Sequence, residues 1–187
     1  MFFIYEEQKD GSRRGLGVGD FRARFSQICK SHLTDGRARA FAFIFYNYSD
    51  NEFRQVLDNE HVFDELNQLA GKDLSVFVLH PITEHTVSLF NSEFLAKLRI
   101  EGTVSLPCVV FFTLKDDQFD KIVVAELSHV QIETAFHELH RVMENYIRDI
   151  PPPSELKLVR LVWSGTKFIG AHALDALLGA ALGRLFG

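Results

Sequence analysis

The chain has 187 residues, enough for one domain with a full core and about 30 residues to spare. Twenty basic against 25 acidic residues give a net charge of -5, which excludes a duplex nucleic-acid binder that relies on phosphate neutralisation. Two cysteines, Cys29 and Cys108, are too few for a disulfide framework, and Met1 to Glu7 lacks the basic start and long apolar stretch of a signal peptide, so a cytoplasmic setting is expected.

In chain order, residues 2 to 7 are predicted as a short strand, followed by a glycine-rich basic loop through Gly19. Asp20 is predicted to cap a helix over 21 to 33, with Phe21, Phe25, Ile28, Cys29 and Leu33 on one core-facing stripe. Residues 40 to 46 are almost wholly apolar, as expected of a central strand covered by helices on both faces. Ser49-Asp50-Asn51-Glu52 has the pattern of a capping box. The helix it opens carries Phe53, Val56, Leu57, Phe63, Leu66, Leu69 and Ala70, with a kink expected at Asp58-Asn59 and a stop at Gly71.

A strand is predicted over Leu74 to Leu79, then a helix marked by Val87, Phe90, Phe94, Leu95 and Leu98 with Gly102 after it. Leu106-Pro107-Cys108 opens the next strand, where a proline cannot donate a ladder hydrogen bond and is therefore present for its backbone geometry. A polar turn at 115 to 118 leads to a strand over Ile122 to Leu127, and Ser128 caps a last helix with Ile132, Phe136, Leu139, Met143 and Ile147 buried. Three prolines, 151 to 153, stop it. This alternation requires a parallel core to which the turn near Asp117 adds an antiparallel hairpin.

An apolar strand leading into a capped helix, with a proline opening a later hairpin, resembles the thioredoxin-like fold over roughly residues 1 to 148. The resemblance implies a cis bond at Pro107 beside an active-site position, with backbone groups left to pair with an extended peptide. It also implies a Cys-x-x-Cys at the start of the second helix, where the helix dipole stabilises a thiolate. The corresponding stretch, Asn47 to Glu52, contains no cysteine, and no hydroxyl or amide replaces a thiolate in disulfide exchange. The expected fold is thus α/β: a thioredoxin-like three-layer domain over 1–150 with a mixed sheet flanked by helices, then a Pro-rich linker and a Gly/Ala/Leu-rich helical tail over 151–187.

Other constellations have simpler readings. Cys108 could act as a single reactive thiol, but burial in a strand raises a thiol's pKa and leaves it inert. Glu133, His137, His140 and Glu144 share one side of the last helix, yet a single straight helix aims only neighbouring pairs at one ion, so a solvated face is expected and no metal. His80 and His85 have no evident acid partner in the sequence and are taken as surface residues. Gly15, Gly17 and Gly19, with Arg13 and Arg14, lack the spacing of a dinucleotide or Walker loop, so no cofactor is expected.

The tail departs in charge from the rest. Residues 154–187 carry Lys157, Arg160, Lys167 and Arg184 against Glu155 and Asp175, a net +2 that leaves -7 for residues 1–153. Phe168 to Phe186 is predicted as a helix with Ala171, Asp175, Gly179, Gly183 and Gly187 at four-residue spacing, a pattern that permits close helix approach. Asp175 near its middle disfavours a lone membrane span.

The expected function is a non-catalytic interaction module, an adaptor or scaffold whose partner is another protein or a second copy, contacted through Leu106, Pro107, Cys108, Tyr48 and Ser49, with a C-terminal helix that docks on the domain itself or on a partner. A membrane-acting effector is the alternative, with Trp163, Phe168, Gly179, Gly183 and Phe186 of segment 154–187 at a bilayer or oligomer contact and a location peripheral to the membrane. A single-cysteine redox protein using Cys108 is the second.

Overall fold

Six consecutive residues, Ala40–Phe45, are buried at every position, which demands a strand with neighbours on both edges and helices on both faces. The computed structural model describes residues 1–5, 16–115, 118–127, 132–149 and 168–170. In chain order its elements are β1 (Phe2–Tyr5), β2 (Leu16–Gly17), α1 (Val18–Thr34), β3 (Ala40–Phe45), α2 (Asn51–Asp58), α3 (Glu60–Ala70), β4 (Leu74–His80), α4 (Glu84–Lys97), β5 (Cys108–Lys115), β6 (Gln118–Glu126), α5 (Ile132–Asp149) and β7 (Phe168–Gly170). The strands form one mixed sheet in the order β2-β1-β4-β3-β5-β6-β7. β2, β1, β4 and β3 run parallel, while β5, β6 and β7 are joined by antiparallel pairings.

Two cores lie on opposite sides of this sheet, and β3 feeds both by strict alternation. Phe41, Phe43 and Phe45 face one side with Phe21 and Phe25 of α1, Phe90 and Phe94 of α4, and Phe77 and Phe112 from the flanking strands. Ala40, Ala42 and Ile44 face the other, where α2, α3 and α5 pack. The first core is a continuous phenyl cluster: the Phe43 ring centroid lies 4.8 Å from Phe94, 5.4 Å from Phe77 and 5.4 Å from Phe112. On the opposite side Phe111 stacks on Tyr146 of α5 at 4.1 Å.

Local chemistry explains most boundaries. Asn59 closes α2 and caps α3, its Oδ1 accepting from the amides of His61 (3.0 Å) and Val62 (3.4 Å), so the expected kink is a full break between two helices. Gly71 ends α3 at φ +51, a backbone region open to glycine. Thr83 caps α4 by accepting from the Thr86 amide at 3.3 Å.

Four expectations need correction. Leu33, expected on the core stripe of α1, is exposed in its last turn. α1 begins at Val18 with Gly17 as its N-cap, so Asp20 lies inside the first turn instead of capping it. Ser49 and Glu52 form no capping box: Asp50 is the N-cap of α2 and accepts no helix amide through its side chain. Phe168–Gly170, expected to start a helix, is a strand paired with Val123–Ala125 of β6, because an unfilled sheet edge offers those residues ladder hydrogen bonds. The proposed Ser128 cap and residues 171–187 lie outside the described residues.

Truncating the fully buried Phe43 is expected to lower the unfolding free energy by about 3–5 kcal/mol. Enlarging the fully buried Ala42 on the opposite face to leucine should cost about 1–3 kcal/mol by overpacking. Urea denaturation followed by far-UV circular dichroism measures both, and a negligible loss for Phe43→Ala would contradict the central place of the phenyl cluster.

Candidate functional site

The antiparallel register of β3 and β5 sets Phe45 opposite Cys108, so the loop leaving β3 lies beside Leu106 and Pro107. The Leu106–Pro107 peptide bond is cis, as the resemblance implies. The Pro107 carbonyl accepts from the Leu127 amide at 2.9 Å, and the Ser105 amide donates to Glu126 Oε1 at 2.8 Å, which stitches the entry of β5 to the end of β6.

Buried polar groups hold the facing loop. The Tyr46 hydroxyl donates to the Leu79 carbonyl at 2.6 Å, and Asn91 of α4 donates to the Tyr46 carbonyl at 2.9 Å. The Asn47 amide donates to Asp50 Oδ2 at 3.0 Å, so the Asp50 carboxylate turns back onto the loop. The Tyr48 hydroxyl donates to the Ile82 carbonyl at 2.9 Å, while the Arg54 guanidinium sits 4.2 Å over the Tyr48 ring and donates to the Tyr48 carbonyl at 3.2 Å. Tyr46, Asn91 and Arg54 were not legible as site residues: Tyr46 reads as part of an apolar run, and nothing local marks Asn91 as buried.

The five residues expected to meet a partner therefore divide. Ser49 is exposed, Leu106 and Tyr48 are half-buried, and Pro107 and Cys108 are buried. Among the described residues the main chain of Leu106 has no hydrogen-bond partner. Ile82, whose carbonyl holds Tyr48, is 62% exposed and adds an apolar surface that the sequence did not single out.

Both cysteines are free and buried. Burial, with a smaller contribution from the Glu126 carboxylate, pushes the Cys108 thiol up to about 12, and burial raises Cys29 as well. The thiolate, which is the nucleophile, is thus disfavoured at both positions.

The remaining candidates are scattered. His137 and Glu144 are exposed and His140 is half-buried; the Glu133 side chain lies outside the described set. Among the described residues no group of three or more His, Cys, Asp or Glu side chains is arranged to hold a metal ion. His80 does have an acid partner, contrary to expectation: its Nδ1 lies 2.9 Å from Asp58 Oδ1, a contact between β4 and the end of α2 invisible in sequence. His85 is exposed. Of the expected tail contacts, Phe168 pairs with Ala125, while Trp163, Gly179, Gly183 and Phe186 lie outside the described residues. No helix among the described residues is long and apolar enough to cross a membrane. No protein-family model, curated protein or solved structure matches the chain.

The raised Cys108 pKa fixes the sign of a pH effect. Below the ordinary thiol value of 9.0 the folded and unfolded chains are both protonated there, and the burial of the neutral thiol is fully tolerated. As pH climbs from 9.0 towards about 12, the unfolded chain loses the proton first and stability falls. Cys108→Val, close in size, should flatten that alkaline decline in urea midpoint, and alkylation of native protein by iodoacetamide should be slow compared with the denatured chain. Rapid native alkylation of Cys108 would contradict its burial.

Proposed function

We propose that this chain is a thioredoxin-like, redox-inactive interaction module that holds a segment of a partner protein at the surface formed by Ser49, Tyr48, Ile82 and Leu106. One observation carries the reading: a β1-β4-β3-β5-β6 order with α1 and α4 on one face, α2, α3 and α5 on the other, and Pro107 heading β5 beside the start of α2. The mixed sheet with helices on both faces supports the resemblance, whose redox members carry the paired thiols at the start of the second helix. Here Asn47 to Glu52 has none, and neither Cys29 nor Cys108 reaches the surface.

What the surface retains is suited to recognition. The half-buried Leu106 offers main-chain groups, as strand addition requires. Ile82 offers apolar area, and Tyr48 is immobilised by three contacts so that little side-chain freedom is lost on binding. The proposed setting is cytoplasmic, with no cofactor, metal or nucleic acid involved. The pairing of Phe168–Gly170 with β6 favours a C-terminal segment that docks on its own domain over one that inserts in a bilayer.

A photo-crosslinking side chain at Ser49 or Leu106 should capture a discrete partner in cells, whereas one at Leu33, on the outer side of α1, should not. Insulin disulfide reduction by the purified chain should not exceed the uncatalysed rate. Equal crosslinking from all three positions, or measurable reductase turnover, would overturn the reading.

A further inference from the structure

Three sheet positions away from Pro107, with β4 and β3 between, a groove of about 590 Å3 runs between β1 and the helices α2 and α3. Its floor is aromatic and apolar, formed by Phe3, Tyr5, Phe63 and Leu57. Phe3 and Phe63 stack at 4.4 Å with their planes 18° apart, and both rings are only half-buried. The charged side chains that line it are all carboxylates, Asp58, Glu60 and Asp64, and all three are exposed. Among the described residues no lysine or arginine lines it, and the Met1 amino group, which donates to Asn67 Oδ1, is pushed down to about 6 by burial.

Glu60 and Asp64 stand one turn apart on α3 and so share a face. Asp58 is engaged by His80; among the described residues Glu60 and Asp64 have no ion-pair partner. β2 pairs only with Ile4 and Tyr5, so the outer edge of β1 at Phe2 and Phe3 has no strand beside it among the described residues. Among the described residues the groove is therefore reachable from that edge.

These features select one ligand chemistry. An anion is repelled by three carboxylates, and a purely apolar occupant would desolvate them without compensation. A bare metal ion needs a convergent ligand set, and none is formed among the described residues. A basic side chain satisfies both surfaces at once, because its aliphatic stem packs on the aromatic floor while the carboxylates take its hydrogen bonds.

We propose that the groove docks an extended basic segment of a partner protein, with the aliphatic stem of a lysine or arginine side chain packed against Phe3 and Phe63 and its charge at Glu60 and Asp64. Charge complementarity and the open β1 edge carry the assignment, and it does not depend on the Pro107 surface. The occupant enters as an extended chain because only that form runs along a strand edge while directing alternate side chains to one face.

The test is calorimetric titration of the full chain with the N-acetylated, C-amidated pentapeptide Val-Arg-Leu-Arg-Val and with the same peptide bearing citrulline in place of arginine. Citrulline keeps the shape and removes the charge. Binding of the arginine peptide should exceed that of the citrulline peptide about tenfold or more, weaken as salt rises, and fall about tenfold in Glu60→Gln/Asp64→Asn. Those two exposed positions can be changed without touching the core, and thermal unfolding of the variant confirms it. Equal affinity for the two peptides, no detectable binding of either, or affinity unmoved by the double substitution would overturn the proposal. So would a concentration-dependent dimer dissolved by the same substitutions, which would place a second copy in the groove.

Discussion

Phenyl rings from the central strand fill one side of the sheet, and its smaller residues Ala40, Ala42 and Ile44 face the other. Phe41, Phe43 and Phe45 project to the α1 and α4 side from the same strand that sends Ala40 and Ala42 to the α2, α3 and α5 side. A single slip of register would exchange these two sets and turn the three phenyl rings out of their cluster. The positions of the neighbouring strands follow from this alternation: Phe77 of β4 and Phe112 of β5 stack against Phe41 at 6.1 and 5.5 Å, and each is in turn fixed to a residue of β3 by the ladder. Close packing of rings in edge and offset arrangements adds to their area burial, which is why this face tolerates so little rearrangement.

The same alternation settles the character of Cys108. Sitting opposite Phe45, it points into the phenyl side with Val110 and Phe112, and an uncharged thiol suits that environment where a thiolate does not. The polar groups beside it are spent on the backbone: the Tyr46 hydroxyl on Leu79, the Asn91 amide on Tyr46, the Glu126 carboxylate on Ser105. Buried polar groups with their partners in place rigidify a loop. Around Pro107 the described residues thus combine the exposed Ile82 and the half-buried Leu106 with a buried thiol held in its protonated form, and the proposed interaction role rests on that composition.

Strong periodicity made much of the fold legible. Four of the five stripe residues predicted for α1 (Phe21, Phe25, Ile28 and Cys29, but not the exposed Leu33), the buried set of α4 and the all-apolar β3 are buried as their spacing predicts, since a long amphipathic pattern hides its apolar face. Helix starts were less legible. A Ser-x-x-Glu pattern at 49 to 52 satisfies the local rule for a capping box, but the Asp50 carboxylate is drawn to Asn47 and the helix starts one residue later than a Ser49 cap would place it. Phe168–Gly170 shows the stronger form of that failure, because its surroundings in sequence favour a helix while the edge of β6 offers ladder partners.

The sequence by itself therefore determined the α/β class, the identity of the central strand and the lack of a thiol between Asn47 and Glu52, all of which are properties of single segments. Tertiary structure alone decided which face Cys108 meets, that Asn91 reaches across 45 residues to Tyr46, that Asp58 joins His80, and that Phe3 and Phe63 together floor a groove rimmed by acid. The physical reason is common to these cases: each joins side chains from elements far apart along the chain, and their meeting depends on strand order and register, which no local pattern encodes.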